Sequence, residues 1–149
     1  MKIAIGCDEA GYKLKETIKE FVQEKGHEVL DVGVYDESPI LYPDNAVKVA
    51  ELVAKGECQR GILICGTGIG MSISANKVPG IRAAVCHDPY SAERARKSND
   101  AQIMCMGARV VGAELAKTLT DIWLHCEFAG GGSTEKVERI NYYDNQFRK

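Results

Sequence analysis

The sequence predicts an α/β fold: a three-layer, doubly wound (Rossmann-like) parallel sheet of five strands with a C-terminal helix. Short β-branched runs alternate with amphipathic segments from one end of the chain to the other, which is typical of βαβ units and a parallel sheet. The 149 residues contain no internal repeat, low-complexity tract or long linker, so we expect residues 1–149 to form a single domain.

Five apolar runs have the length of buried strands and predict the sheet. They cover residues 2–7, 27–32, 61–65, 81–86 and 101–106. Between and after them, apolar residues recur at spacings of three and four, which predicts six helices. Gly26 ends the first helix, Pro43 starts the second and Gly56 ends it. The third begins in a glycine turn and runs to about residue 77, and the others lie near residues 89–98, 115–126 and 133–147, the last one able to reach a partner subunit.

Composition and charge exclude several classes of function. The net charge of −2 is not the basic excess of a nucleic-acid-binding protein. No apolar run is long enough for a membrane span, and residues 1–6 do not resemble a signal peptide. The six cysteines form no C-x-x-C pair and no histidine lies at metal-ligand spacing from one, so no metal or other cofactor is predicted. We expect reduced thiols in a cytoplasmic protein.

The turn after the third predicted strand, Cys65-Gly66-Thr67-Gly68-Ile69-Gly70, is the segment best suited to chemistry. Alternating glycines let the backbone approach a ligand and direct consecutive N–H groups towards it. The helix that follows adds the positive end of its dipole, so the turn suits a phosphate, a carboxylate or a developing oxyanion. The alternative interpretation is a tight turn that serves only the packing of a helix against a strand.

Cys65 ends the strand directly before this turn. Thiols beside helical N–H groups can become thiolates that act as a base or a nucleophile, whereas a strand cysteine otherwise serves as a buried apolar residue. Thr67 could donate a hydrogen bond to the sulfur or to a substrate oxygen. Ligands of doubly wound sheets bind where the strand order reverses. If the order is flavodoxin-like, the loops after the first and third strands flank that point, so the fold and the motif select the same place.

Other candidates lie in loops or near the ends of elements. Asp8 follows the first strand and could bind sugar hydroxyls or cap the next helix. His87 follows the fourth strand and is a reserve candidate for an acid or base. Tyr42, Asn99 and Arg109 are candidates by position alone.

Several segments spread over nearly the whole chain carry a resemblance to a known family: residues 5–8 with Gly11, Tyr42-Pro43, residues 61–77, 80–84 and 89–92, Asn99 and residues 107–116. Their combination resembles the ribose-5-phosphate isomerase B family, which includes the LacA and LacB subunits of galactose-6-phosphate isomerase. The resemblance implies a metal-independent aldose–ketose isomerase that acts on a phosphorylated sugar through an enediolate.

The resemblance also implies roles for single residues. Cys65 would move a proton between C1 and C2, Thr67 would assist it, and residues Gly66, Gly68, Ile69 and Gly70 of the turn would hold the enediolate oxygens. Asp8 and Tyr42 match positions that bind substrate hydroxyls. Asn99 and Arg109 match positions that complete the site across the interface of a homodimer, and dimers could pair further into a tetramer.

Four positions that depart from the family pattern concern the substrate. Glu9 stands where the family has a phosphate-binding histidine, and Ser98 stands where it has the histidine that opens the sugar ring. Gly132 and Lys136 occupy the positions of two phosphate-binding arginines. A tetrose 4-phosphate cannot close a furanose ring and needs no ring opening, so these departures favour an acyclic substrate such as erythrulose 4-phosphate. Arg109 and Lys136 would then hold the phosphate.

Three alternatives remain open at this point. His87 could replace the missing histidine, which would leave ordinary activity on ribose 5-phosphate and ribulose 5-phosphate. The chain could instead be a non-catalytic, sugar-phosphate-binding subunit of a LacA/LacB-type hetero-oligomer. A redox protein that uses Cys65 is the third option, although the sequence offers that thiol no resolving cysteine.

Overall fold

Strands and helices alternate along the computed structural model, which describes residues 1–148. The strands are β1 (Lys2–Cys7), β2 (Glu28–Asp31), β3 (Arg60–Cys65), β4 (Ala83–Val85) and β5 (Ile103–Gly107). The helices are α1 (Tyr12–Glu24), α2 (Tyr42–Ala54), α3 (Ile69–Ala75), α4 (Pro89–Lys97), α5 (Ala113–His125) and α6 (Gly132–Gln146). Each predicted strand and helix is present, and the predicted α/β fold is confirmed.

The five strands form one parallel sheet in the order β2-β1-β3-β5-β4. The chain moves from β1 to β2 on one side and then crosses to β3 on the other, so the strand order reverses between β1 and β3. A flavodoxin-like order would place β4 next to β3, but here β5 takes that position. The exchange has a physical reason: β5 is buried along its whole length, whereas β4 has only three half-buried residues and suits an edge.

Helices cover both faces of the sheet. Alternate residues of β1, β3 and β5 point to opposite sides and form two separate apolar clusters. One cluster packs against α1, α4 and α5, and the other against α2 and α3. Cys65 points to the side of α2 and α3, whereas its neighbour Ile64 points to the other. This is the three-layer arrangement expected from the sequence. Within residues 1–148, every helix is too short or too polar to cross a membrane.

A buried ion pair joins α1 to the end of β2. Lys15 is completely buried, and its Nζ donates a hydrogen bond of 2.7 Å to Oδ2 of Asp31. The other carboxylate oxygen of Asp31 accepts a bond from the Gly33 amide at 2.8 Å. Burial favours the neutral forms, but these hydrogen bonds outweigh it, so the pKa of Lys15 is raised and the pKa of Asp31 is lowered. Both groups are therefore charged at neutral pH.

Replacing Lys15 tests the contribution of this pair. We expect Lys15→Met to lower the free energy of unfolding by about 3 kcal/mol, because the buried carboxylate of Asp31 loses its buried cation and keeps only Lys19 as a positively charged partner. Urea denaturation measures the change. Lys13→Met is the matched control, since the Lys13 side chain is 85% exposed and its loss should alter stability by less than about 0.5 kcal/mol. Equal losses in the two variants would contradict the expectation.

Candidate active site

Three loops meet at the carboxyl ends of β1, β3 and β5. The amide of Asp8 donates to the carbonyl of Ile64 at 3.2 Å, and a Cβ added to Gly11 would lie 2.5 Å from the same oxygen. On the other side of β3, a Cβ on Gly107 would lie 2.7 Å from Cα of Thr67. The backbones therefore touch directly, and the loops after β1 and β5 enclose the 65–70 turn from both sides.

The 65–70 turn directs a backbone N–H at a sulfur atom. Gly68 has φ of +79° and immediately precedes α3, and its amide donates to Sγ of Cys65 at 3.1 Å. A side chain at position 68 would be strained by this φ and would meet the Met106 backbone at 2.9 Å. The Ile69 amide donates to Oγ1 of Thr67 at 3.2 Å. Because the N–H of Gly68 points at the sulfur, it stabilises negative charge there.

Other cysteines lack this setting. Burial raises the pKa of Cys7 and of Cys86 to about 12, and it raises the pKa of Cys105 well above its usual value. These three residues are therefore neutral thiols that fill the core. Cys65 is also buried, at 5% exposure, but it ends a strand at the reversal point of the sheet.

The loop after β1 carries two carboxylates with different partners. Oδ1 of Asp8 accepts a hydrogen bond from the Gly11 amide at 3.0 Å, which closes the turn that leads into α1. Burial raises the pKa of Asp8, and the positive charge of Arg109 opposes that rise. Glu9 instead accepts a bond from the Ile40 amide at 3.3 Å, so its charge is directed to the segment before α2.

Tyr42 and Arg109 lie against glycines of the turn. A Cβ on Gly70 would be 2.5 Å from the hydroxyl oxygen of Tyr42, so the phenol rests on the turn. A Cβ on Gly66 would be 3.2 Å from Nη1 of Arg109, whose amide also donates to the Gly66 carbonyl at 3.0 Å. The guanidinium of Arg109 therefore lies beside the turn of its own chain, and its role across a dimer interface stays a prediction.

His87 approaches the same region from the edge strand. Its Nε2 accepts a hydrogen bond of 2.9 Å from the amide of Gly107, the residue that pairs with Cys65 in the sheet register. The sequence patterns did not indicate that Gly107 has a role in the site. A glycine at the end of a buried strand was the available signal, since such a glycine often marks a close approach of another backbone.

Ser98, Asn99 and Lys136 lie elsewhere in the chain. Ser98 follows α4 and Asn99 comes shortly before β5, so both belong to the amino edge of the sheet, opposite to Cys65. Asn99 lines a cavity of about 620 Å³ between this edge and α6. Lys136 is exposed on α6. Within residues 1–148, no hydrogen bond or ion pair connects these three side chains to the 65–70 turn.

The site therefore combines a sulfur atom, backbone N–H donors, a guanidinium, a phenol and a buried carboxyl. A thiolate that accepts a proton from carbon needs nearby donors to hold the oxyanion that forms when the C–H bond breaks. The turn supplies such donors at the helix start. Arg109 adds a fixed positive charge beside them. The arrangement suits proton transfer next to a carbonyl group in an anionic substrate.

Comparison with known proteins agrees with this chemistry. The family model described as Ribose/Galactose Isomerase matches residues 3–140. A D-erythrulose-4-phosphate isomerase from Pectobacterium atrosepticum is 58% identical, covering 98% of this chain and 97% of that protein. A ribose-5-P isomerase B from Listeria innocua is 56% identical, covering 99% of this chain and 100% of that protein.

A solved structure extends the agreement to three dimensions. The ribose-5-phosphate isomerase B of Clostridium thermocellum superposes with a TM-score of 0.97 at 50% identity, covering 99% of both chains. The family match spans the strands, the 65–70 turn and most of α6. The chain described here belongs to the ribose/galactose isomerase family.

Proposed function

We propose that this protein interconverts an aldose phosphate and a ketose phosphate through an enediolate, with Cys65 as the base. The observation that carries the proposal is the hydrogen bond of 3.1 Å from the Gly68 amide to Sγ of Cys65, inside a turn that closes on Arg109 and Tyr42. Relatives named as sugar-phosphate isomerases, at 58% and 56% identity over nearly the whole chain, support the reaction class.

The proton moves between two neighbouring carbon atoms. The thiolate of Cys65 takes the proton from C2 of the aldose, the C–H electron pair forms the C1–C2 double bond, and the carbonyl pair moves to O1. The thiol then returns the proton to C1 as the hydroxyl proton of O2 passes to O1 and the carbonyl forms at C2. Oγ1 of Thr67 accepts a hydrogen bond from the Ile69 amide, so the hydroxyl hydrogen of Thr67 is free to be donated to a substrate oxygen.

The proposed substrate is a tetrose phosphate such as erythrulose 4-phosphate, interconverted with erythrose 4-phosphate. Ser98 cannot open a sugar ring as an imidazole can, and a tetrose 4-phosphate has no furanose ring to open. The carboxylate of Glu9 is fixed by the Ile40 amide and repels a phosphate from the loop after β1. In a tetrose phosphate the phosphate lies one carbon nearer to the reacting atoms than in a pentose phosphate. The guanidinium of Arg109, beside Gly66, is the group that would bind a phosphate at that shorter distance.

We also propose that two chains share each active site in a homodimer. Ser98, Asn99 and Lys136 lie away from the 65–70 turn of their own chain, so another chain would have to bring them to it. Apolar side chains beside the turn support such an interface, because Ile69 and Ile73 on α3 are 55% and 58% exposed and Val110 is 55% exposed. The six thiols, five of them buried, fit the reducing cytoplasm where we propose that the enzyme acts.

Removing the proposed base tests the mechanism. We expect Cys65→Ala to lower kcat by about 10²–10⁴-fold, the usual contribution of a positioned base. Steady-state kinetics with erythrulose 4-phosphate measures the effect. Cys126→Ser is the control, because that thiol lies at the end of α5 and should leave kcat unchanged. A Cys65→Ala variant with the kcat of the unmodified protein would exclude the thiol as the base.

The substrate proposal is tested separately on the unmodified protein. We expect kcat/KM to be higher for erythrose 4-phosphate than for ribose 5-phosphate, because ribose 5-phosphate closes into a furanose and Ser98 cannot open that ring as an imidazole can. A clear preference for the pentose would overturn the tetrose proposal and leave the isomerase intact. If the purified chain isomerises no sugar phosphate but gains activity with a second family member, the subunit alternative is correct.

Complementation between two inactive variants tests the shared site. Cys65→Ala and Asn99→Ala should each be impaired alone, whereas an equal mixture that has exchanged subunits should recover about a quarter of the normal activity. The recovered sites are those that combine an intact Cys65 from one chain with an intact Asn99 from the other. A mixture that is no more active than the sum of its parts would show that each chain carries a complete site.

A further inference from the structure

The hydrogen bond between His87 and Gly107 forms where the edge strand β4 ends before its neighbour β5 does. Gly107 is buried at the end of β5, and the amides of alternate β5 residues point towards β4, as the bond from the Ile103 amide to the Arg82 carbonyl shows. However, β4 ends at Val85, which pairs with Cys105. The next β5 amide on that side belongs to Gly107, and it donates a hydrogen bond of 2.9 Å to Nε2 of His87.

We propose that His87 is a positioning residue for the isomerisation: its imidazole supplies the acceptor that the short β4 strand lacks and thereby fixes the backbone under the 65–70 turn. The proposal rests on the function proposed above. It differs from the alternative in which His87 transfers protons to open a sugar ring. Accepting the Gly107 amide requires the lone pair of Nε2, so this nitrogen cannot take a proton without losing the bond.

Gly107 transmits the effect because it lies directly against the backbone of the turn. A Cβ at this position would lie 2.7 Å from Cα of Thr67 and 2.8 Å from the carbonyl oxygen of Gly66. The next two amides bind the same turn, with Ala108 donating to the Cys65 carbonyl at 2.8 Å and Arg109 donating to the Gly66 carbonyl at 3.0 Å. A shift of residue 107 would therefore move the sulfur, the N–H donors and the guanidinium relative to one another.

Two substitutions separate positioning from proton transfer. In His87→Gln, the side-chain oxygen reaches about as far as Nε2 and can accept the amide, but it cannot act as an acid or base. In His87→Asn, the amide is too short to reach Gly107. We expect the Gln variant to keep kcat and the Asn variant to lose up to about 10²-fold in kcat, with a smaller change in KM, because misplacement of reacting groups acts on turnover.

The substrate dependence gives an independent readout. A positioning role predicts the same fractional loss in the Asn variant with erythrulose 4-phosphate and with ribose 5-phosphate, the pentose that closes into a furanose ring. A ring-opening role predicts that both variants lose activity with the pentose and keep it with the tetrose. His125→Gln is the control, since that histidine is exposed on α5 and should leave both activities unchanged. Equal losses in the Gln and Asn variants, or none in either, would overturn the proposal.

Hydrogen exchange tests the contact without relying on activity. The Gly107 amide should be protected in the unmodified protein and in His87→Gln, and it should exchange faster in His87→Asn while the amides of β1 keep their protection. If the unmodified protein isomerises no sugar phosphate, the proposed function fails but this measurement still decides the contact. Equal protection of the Gly107 amide in all three proteins would overturn the positioning role.

Discussion

Three backbone segments lie against one another at the carboxyl ends of β1, β3 and β5 with no side chain between them. Gly11 touches the carbonyl of Ile64, Gly107 touches Thr67, and Gly68 touches the backbone of Met106. Because these contacts are backbone to backbone, their geometry changes little with side-chain rotamers. The position of the Cys65 sulfur follows from them, as does the direction of the Gly68 amide that points at it.

Local signals in the sequence account for most of the fold. Apolar periodicity indicates all five strands and six helices, and the glycines at 66, 68 and 70 indicate where the backbone can approach a ligand. The exchange of β4 and β5 was not predictable in this way, because strand order depends on pairings between distant segments. The same holds for the bond between His87 and Gly107, which joins a side chain and an amide 20 residues apart and leaves no periodic pattern.

The candidate site was predictable in part. Asp8, Tyr42, Arg109 and the 65–70 turn do come together, because all of them lie at the carboxyl edge where the strand order reverses. Ser98, Asn99 and Lys136 do not join them within one chain. The family resemblance singled out these positions and placed Asn99 across a dimer interface, a prediction that contacts within one chain do not test.

Two groups of candidate residues lie at opposite ends of the strands. The groups proposed to make and break bonds are on the carboxyl edge, held together by main-chain contacts, while Ser98 and Asn99 lie on the amino edge, in the turn that follows α4. An exchange of side chain at either of those loop positions leaves the main-chain contacts around the sulfur untouched. With the roles proposed above, a change of sugar preference requires substitutions only at those positions, and the backbone contacts that hold the Cys65 sulfur stay as they are.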